Sequence, residues 1–391
     1  MSPAPLPSSG AVAMFRADEG HTGSYPGAAL RRSPSVAWRF ELPNREASSP
    51  TVCDGVLYVE AGRSGDTAYP EGALYALDAQ TGRLLWKVAT GNPGTSTPAV
   101  AHGLVYFAVE DDSLQALDAR SGTPHWTFRL SRSRRDGARK SVHGSATVSG
   151  DTVFFSISYV GKVAGAWNVV LHALDARTGR VRWSTDRLQA MTSPVVHEGL
   201  VFAGQYRIAA LFASTGVKKW EYALGTYESG GRTNDDYATD SPAAANGVLY
   251  AATFGGSLHA LEAASGRLLW RFERGGGYTA RAAPAVANGT VFIGSSDGFF
   301  HALDAKTGTE KWRFRADAQV NSTPTVAEDV VYFGDWNGTL YALDANSGKE
   351  VWRHRQDGTV HLLPAPLHQG TVYVTAFLRG NRDRHEVFAL R

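Results

Sequence analysis

Cysteine is nearly absent. Cys53 is the only one among 391 residues, which excludes an internal disulfide and leaves a thiol that reads as inert. Charge of one sign is lacking too. Thirty-nine Lys and Arg against 37 Asp and Glu give a net charge of +2, with no field to draw nucleic acid or a membrane surface. No run of 18 apolar residues occurs, so no membrane-spanning helix is expected. Residues 1–10, Met-Ser-Pro-Ala-Pro-Leu-Pro-Ser-Ser-Gly, have no basic stretch, no apolar core and no lipidation cysteine. They read as a short disordered tail, and the expected location is cytoplasmic. Metal-ligand spacing, a phosphate loop, a G-x-S-x-G elbow and a nucleophile–base signature are all missing.

What is present is a repeat. Residues 74–86 read Leu-Tyr-Ala-Leu-Asp-Ala-Gln-Thr-Gly-Arg-Leu-Leu-Trp, and residues 340–352 read Leu-Tyr-Ala-Leu-Asp-Ala-Asn-Ser-Gly-Lys-Glu-Val-Trp. A period of about 40 residues with strand-type alternation and a fixed Thr-Gly or Ser-Gly turn predicts a β-propeller of four-stranded blades. Each copy opens on a hairpin pattern, as in residues 96–107, Ser-Thr-Pro-Ala-Val-Ala-His-Gly-Leu-Val-Tyr-Phe. In the second half Asp118 accepts hydrogen bonds from its own turn, and Gly122 takes the positive φ. The closing Trp supplies an apolar face for packing between blades. In copy four Phe212 replaces the turn Asp, and in copy five Glu262 does; both read as drift in turns still specified by Gly216 and Gly266.

The closing Trp recurs eight times, at 38, 86, 126, 183, 220, 270, 312 and 352. Trp38 precedes any opening strand, and the last opening strand has no Trp after it. A shared blade resolves this mismatch. The strand around Trp38 is expected to be the outer strand of the C-terminal blade, which would remove an exposed edge. The predicted fold is therefore all-β, an eight-bladed propeller over residues 36–391, preceded by a tail and lead-in at 1–35.

The Ala-Leu-Asp-Ala-x-Thr-Gly-x-x-x-Trp sentence resembles the quinoprotein-type (PQQ-like) propeller repeat. That family includes the PQQ-dependent alcohol dehydrogenases and the barrel-assembly lipoprotein BamB. The segment 14–23, Met-Phe-Arg-Ala-Asp-Glu-Gly-His-Thr-Gly, resembles the lead-in that precedes many such propellers. The resemblance implies that the eight Trp residues dock adjacent blades. The dehydrogenases use an adjacent cysteine pair under the cofactor and a calcium site on long insertions. Neither maps onto this chain, so no cofactor and no metal are expected.

Strand order within a blade places the turns between strands one and two, and three and four, on one face. The remaining loops and the crossings between blades lie on the other. The first set is short throughout, as at 101–103 and 198–199. The long insertions, at 62–72, 130–143, 159–167, 225–240 and 378–385, all belong to the second. The functional face is expected there, at the mouth of the central channel. His172, His259 and His301 fall at the Tyr position of Leu-Tyr-Ala-Leu and read as strand residues. His143, Asp240 and His361 enter inner strands off-pattern and are the candidate acid–base residues. Arg281 and Asn321 complete a polar rim suited to a small polar or anionic ligand. Arg139 belongs to a basic crossing, and Glu228, Asp235, Asp236 and Asp240 make an acidic one. Tyr206, Tyr237 and Trp336 are loop aromatics of the kind recognition faces use.

Three functions are compatible with these residues, the third being a reduced PQQ enzyme. One is a non-redox binding or scaffolding propeller that takes a small polar molecule, a peptide or a protein on its loop-rich face. The second, the alternative to it, is an enzyme using the funnel for cyclisation, elimination or hydrolysis. No nucleic-acid or membrane partner is expected.

Overall fold

The computed structural model describes residues 13–42, 46–62, 72–91, 96–109, 113–129, 140–160, 167–185, 188, 192–274, 282–356, 359–362, 366–378 and 384–391. For 91, 140–143, 158–160, 167–168, 359–362 and 384 it describes the backbone alone. Eight antiparallel sheets of the propeller type succeed one another along the chain. They group into two compact units, one within 1–15 and 43–222, the other within 16–42 and 223–391, with four blades in each. The all-β eight-bladed fold expected from the repeat is the fold observed. Strand Val36–Leu42 pairs antiparallel with Arg384–Leu390, Phe40 opposite Val387. The last blade thus takes its outer strand from near the start of the chain, as the Trp count required.

The repeat residues act locally. Asp118 Oδ1 accepts the N–H groups of Arg120 and Ser121 at 3.1 and 2.9 Å. The Thr307 N–H and hydroxyl hold the Asp304 carboxyl below its ordinary value in the same way. Gly122, at φ 71°, has a second reason to be glycine. A Cβ there would lie 2.8 Å from the Trp86 ring of the preceding blade. That ring's Nε1 donates to Ala119 O in the same turn, at 3.2 Å. Trp312 meets Gly348 and Ala345 O identically. Trp86, Trp126, Trp183, Trp270 and Trp312 are thereby clamped to the next blade's turn, giving the blade-docking role a geometry. In copies four and five the turn persists without Asp: Gly216 N–H donates to Phe212 O and Gly266 N–H to Glu262 O, both at 2.8 Å.

The last blade has no such turn, because its third and outer strands come from opposite ends of the chain. Leu30 stands in for it. Its carbonyl accepts Trp352 Nε1 at 2.7 Å, and its N–H donates to Tyr332 Oη at 2.7 Å. Within each unit apolar cores lie between neighbouring blades. In the second unit Phe300 stacks on Phe333, with centroids 3.9 Å apart, and Phe333 on Tyr341 at 5.1 Å.

Residues 1–10, expected as a disordered tail, lie outside the described residues; the lead-in after them is held by inner strands. In the first unit Ala13 bridges Val100 of an inner strand. In the second, Gly20 O accepts Ala244 N–H at 2.7 Å, Thr22 O accepts Val286 N–H at 2.7 Å, and Gly23 O accepts Val326 N–H at 2.8 Å. Ser24–Tyr25 then pairs in parallel with the inner strand Thr325–Ala327. Ala244, Val286 and Val326 are each the second residue after the repeat Pro. Their N–H groups lie on an inner-strand edge that no strand of their own blade pairs, and the chain's own start satisfies them.

Candidate functional site

On the loop-rich side of the second unit, the 225–240 crossing is a built hairpin, Thr226–Ser229 with Arg232–Asp235. Tyr237 stacks on Phe254 at 4.8 Å and Tyr227 meets the same ring edge-on at 5.6 Å. Asp236, almost fully buried, accepts N–H groups from Tyr237 and Gly255 at 2.9 and 2.8 Å. It is a structural anchor within what the sequence presents as a solvated acidic loop. Tyr237 is likewise part of the anchor. Glu228, Arg232, Thr233 and Asp235 face outward and are exposed.

Asp240 stands one residue later in the repeat than the other rim candidates. Arg281, Asn321, His143 and His361 precede the repeat Pro, or its Ala146 equivalent, by three residues, whereas Asp240 precedes Pro242 by two. Ser48, Ser96, Thr192 and Ser322 occupy that place in four other copies and bond the second strand, as Ser322 does with Gly334 O at 2.8 Å. Asp240 Oδ1 accepts the Ser241 N–H at 2.6 Å. Its charge also acts on Arg16, a buried side chain of the lead-in. Burial lowers the Arg16 guanidinium to about 10, against the pull of Asp240, Asp18 and Tyr25. Arg16 Nη1 donates to Ser241 O and Pro242 O at 2.8 and 3.1 Å, and Nη2 to Pro284 O. In the first unit Thr51 and Thr147 donate to the next blade's Pro carbonyl, both at 2.6 Å. The corresponding residue here is Ala243, and Arg16 supplies the missing donor.

Asn321 is 8% exposed, and its Oδ1 has no hydrogen-bond partner among the described residues. Trp336 is 49% exposed; its main-chain N–H donates to Gln319 O at 3.0 Å, fixing the loop that carries it. Tyr206, in the first unit, is 41% exposed. His143 and His361 lie in strands, opposite Ser156 and Phe377, and their side chains fall outside the described residues. So do Arg139 and Arg281 entirely. Four of the five insertions fall largely outside them too, so the hairpin is the one crossing of the five whose construction is described throughout.

Sequence reasoning missed two arginines. One is Arg16. The other is Arg274, 2% exposed, which donates to Gly294 O at 3.0 Å and Thr253 O at 2.8 Å and so ties two consecutive blades together. Burial lowers it to about 10 against Asp236 and Asp297. The signal was available: Arg274 comes four residues after its Trp, where the next copy carries Ala316. His172, His259 and His301 lie in strands as expected, and all three are buried. His172 and His259 are driven down to about 4 by burial. His301 is lowered by burial, with Glu310 at 2.6 Å opposing.

A family model described as outer membrane protein assembly factor BamB matches residues 28–184, 165–271, 232–298 and 255–381. The chain belongs to this PQQ-like propeller family. BamB of Yersinia pestis is 26% identical over 241 residues, 61% of this chain and 49% of its own length. Quinohemoprotein alcohol dehydrogenase ADH-IIG of Pseudomonas putida is 32% identical over 167 residues, 38% of this chain and 21% of its own. The match thus spans about half or less of the length of these two curated relatives. Among solved structures, BamB from Moraxella catarrhalis superposes with TM-score 0.61 at 18% identity, covering 92% of this chain and 97% of that one. Quinohemoprotein alcohol dehydrogenase ADHIIG from Pseudomonas putida HK5 gives 0.74 at 16%, covering 95% and 79%. At these identities the likeness establishes the fold.

The described residues do not assemble the cysteine pair and calcium ligands that the resemblance implies for the dehydrogenases. Cys53 has no cysteine neighbour, ends the strand Thr51–Cys53, and is 4% exposed. Burial and Asp54 push its thiol up to about 12. Among the described residues no three His, Cys, Asp or Glu side chains are placed to hold a metal.

Proposed function

We propose that this propeller is a non-redox binding or scaffolding module that engages a peptide or protein through its loop-rich face. The observation that carries the reading is the 225–240 hairpin. A loop that merely drifted would have no reason to bury a carboxylate on two amide N–H groups and pack three aromatic rings together. This one does, while presenting Glu228, Arg232 and Thr233 outward. The half-exposed Trp336 adds an aromatic anchor of the type interfaces favour. Membership of a family described as an assembly factor points the same way. Acid–base catalysis is the weaker reading, because the Asp240 carboxylate already serves the Ser241 N–H and balances Arg16.

A photocrosslinking amino acid placed at Trp336 or Arg232 in producing cells should give adducts of discrete mass. The same residue at Glu198 or Asn288, on the opposite turns, should give none. Adducts from the turn positions and none from Trp336 or Arg232 would overturn the assignment.

A further inference from the structure

We infer that the inner-strand edges of the second unit are a binding site for an extended peptide, and that the chain's own residues 16–25 occupy it as an autoinhibitory strap. Three consecutive blades present an equivalent N–H, at Ala244, Val286 and Val326, and the strap meets all three with main-chain carbonyls. Such contacts are the general currency of strand addition: backbone groups give affinity, and a few side-chain positions give specificity.

The specificity positions are Arg16, Gly20 and Gly23. A Cβ on Gly20 would come within 2.5 Å of Ala244 O. Gly23, at φ 70°, would come within 2.9 Å of Pro324 O. Arg16 reaches the carbonyls at the start of two inner strands, where the repeat's own Thr is missing. Asp18 holds the turn between them, accepting the Thr22 N–H at 2.9 Å. The strap is joined to the propeller's closing strand through Gly27, at φ 109°, whose Cβ position has nothing within 4 Å. It is therefore a compact ligand on a short tether. Held at high effective concentration, it excludes a free competitor until it is displaced. The partner that displaces it is an extended segment with glycines three residues apart and an arginine four before the first. This inference draws on the binding reading only in naming a partner segment as the displacing ligand.

The probe is a fluorescein-labelled synthetic peptide of residues 13–26, tracked by anisotropy. The full chain carrying Gly20→Val and Gly23→Val, checked for folding by circular dichroism and gel filtration, should bind it with micromolar Kd. The unaltered chain should bind it at least ~100-fold more weakly, as tethering predicts. A peptide carrying the same two substitutions should not bind the variant. If the variant does not fold, the unaltered chain with a protease site at Gly27 serves, taking up the peptide after cleavage and not before. No uptake by a folded variant or by cleaved protein would overturn the proposal. Uptake without any loop-face crosslink would instead count against the binding reading while leaving the strap site intact.

Discussion

At the residue scale the repeat works because single atoms serve two purposes. The turn glycine both adopts a positive φ and clears the preceding Trp ring. Gly348→Ala meets both constraints, φ 70° and a Trp312 atom 2.7 Å from the new Cβ. It should cost roughly 2–4 kcal/mol. Gly199→Ala, at φ 74° with open space around the Cβ, should cost only about 1 kcal/mol. Denaturant melts of both variants check the difference; equal losses would mean that the Trp contact adds nothing. The buried histidines set a pH dependence. His172 and His259 titrate near 4 when folded, below the ordinary 6.5. The unfolded chain therefore binds more protons between those values, and stability falls as pH drops from about 6.5 to about 4. Each group contributes on the order of 3 kcal/mol at the limit. His172→Gln should flatten that slope in urea titrations between pH 4 and 7. An unchanged slope would place the titration elsewhere.

At the element scale the two chain ends make one blade. Val36–Leu42 supplies its outer strand, and Leu30 supplies the acceptor for Trp352 that a turn supplies elsewhere. Deleting residues 1–42 should expose the Arg384–Leu390 edge and leave Trp352 Nε1 without that acceptor. The expected outcome is aggregation or a lower melting temperature by gel filtration and calorimetry. A soluble truncation that melts with the intact chain would contradict this closure. The strand order was legible because Trp38 was one Trp too early, a counting fact that only a shared blade satisfies. The lead-in was less legible. Its contacts are made by main-chain carbonyls, which leave no side-chain pattern. Only Arg16, Gly20 and Gly23 mark it, and each needs a distant neighbour to explain it.

For the whole molecule, the repeat made the blade count and the ring closure readable and the site readable only in part. Fold residues recur at fixed spacing, so each copy checks the others. Site residues occur once and have no such check. Asp240 looked like a rim residue because it is off-pattern, yet it stands one place out of register and answers to Arg16. Trp336, named as a loop aromatic, is half exposed, while Tyr237 packs into the hairpin's anchor. The central claim is that this family member uses a quinoprotein-type scaffold for binding in place of quinone redox chemistry. Incubation with PQQ and calcium, gel filtration, and a dye-linked alcohol oxidation assay test it most directly. The account predicts protein eluting without quinone absorbance and no dye reduction; stoichiometric bound quinone with alcohol-dependent dye reduction would contradict it.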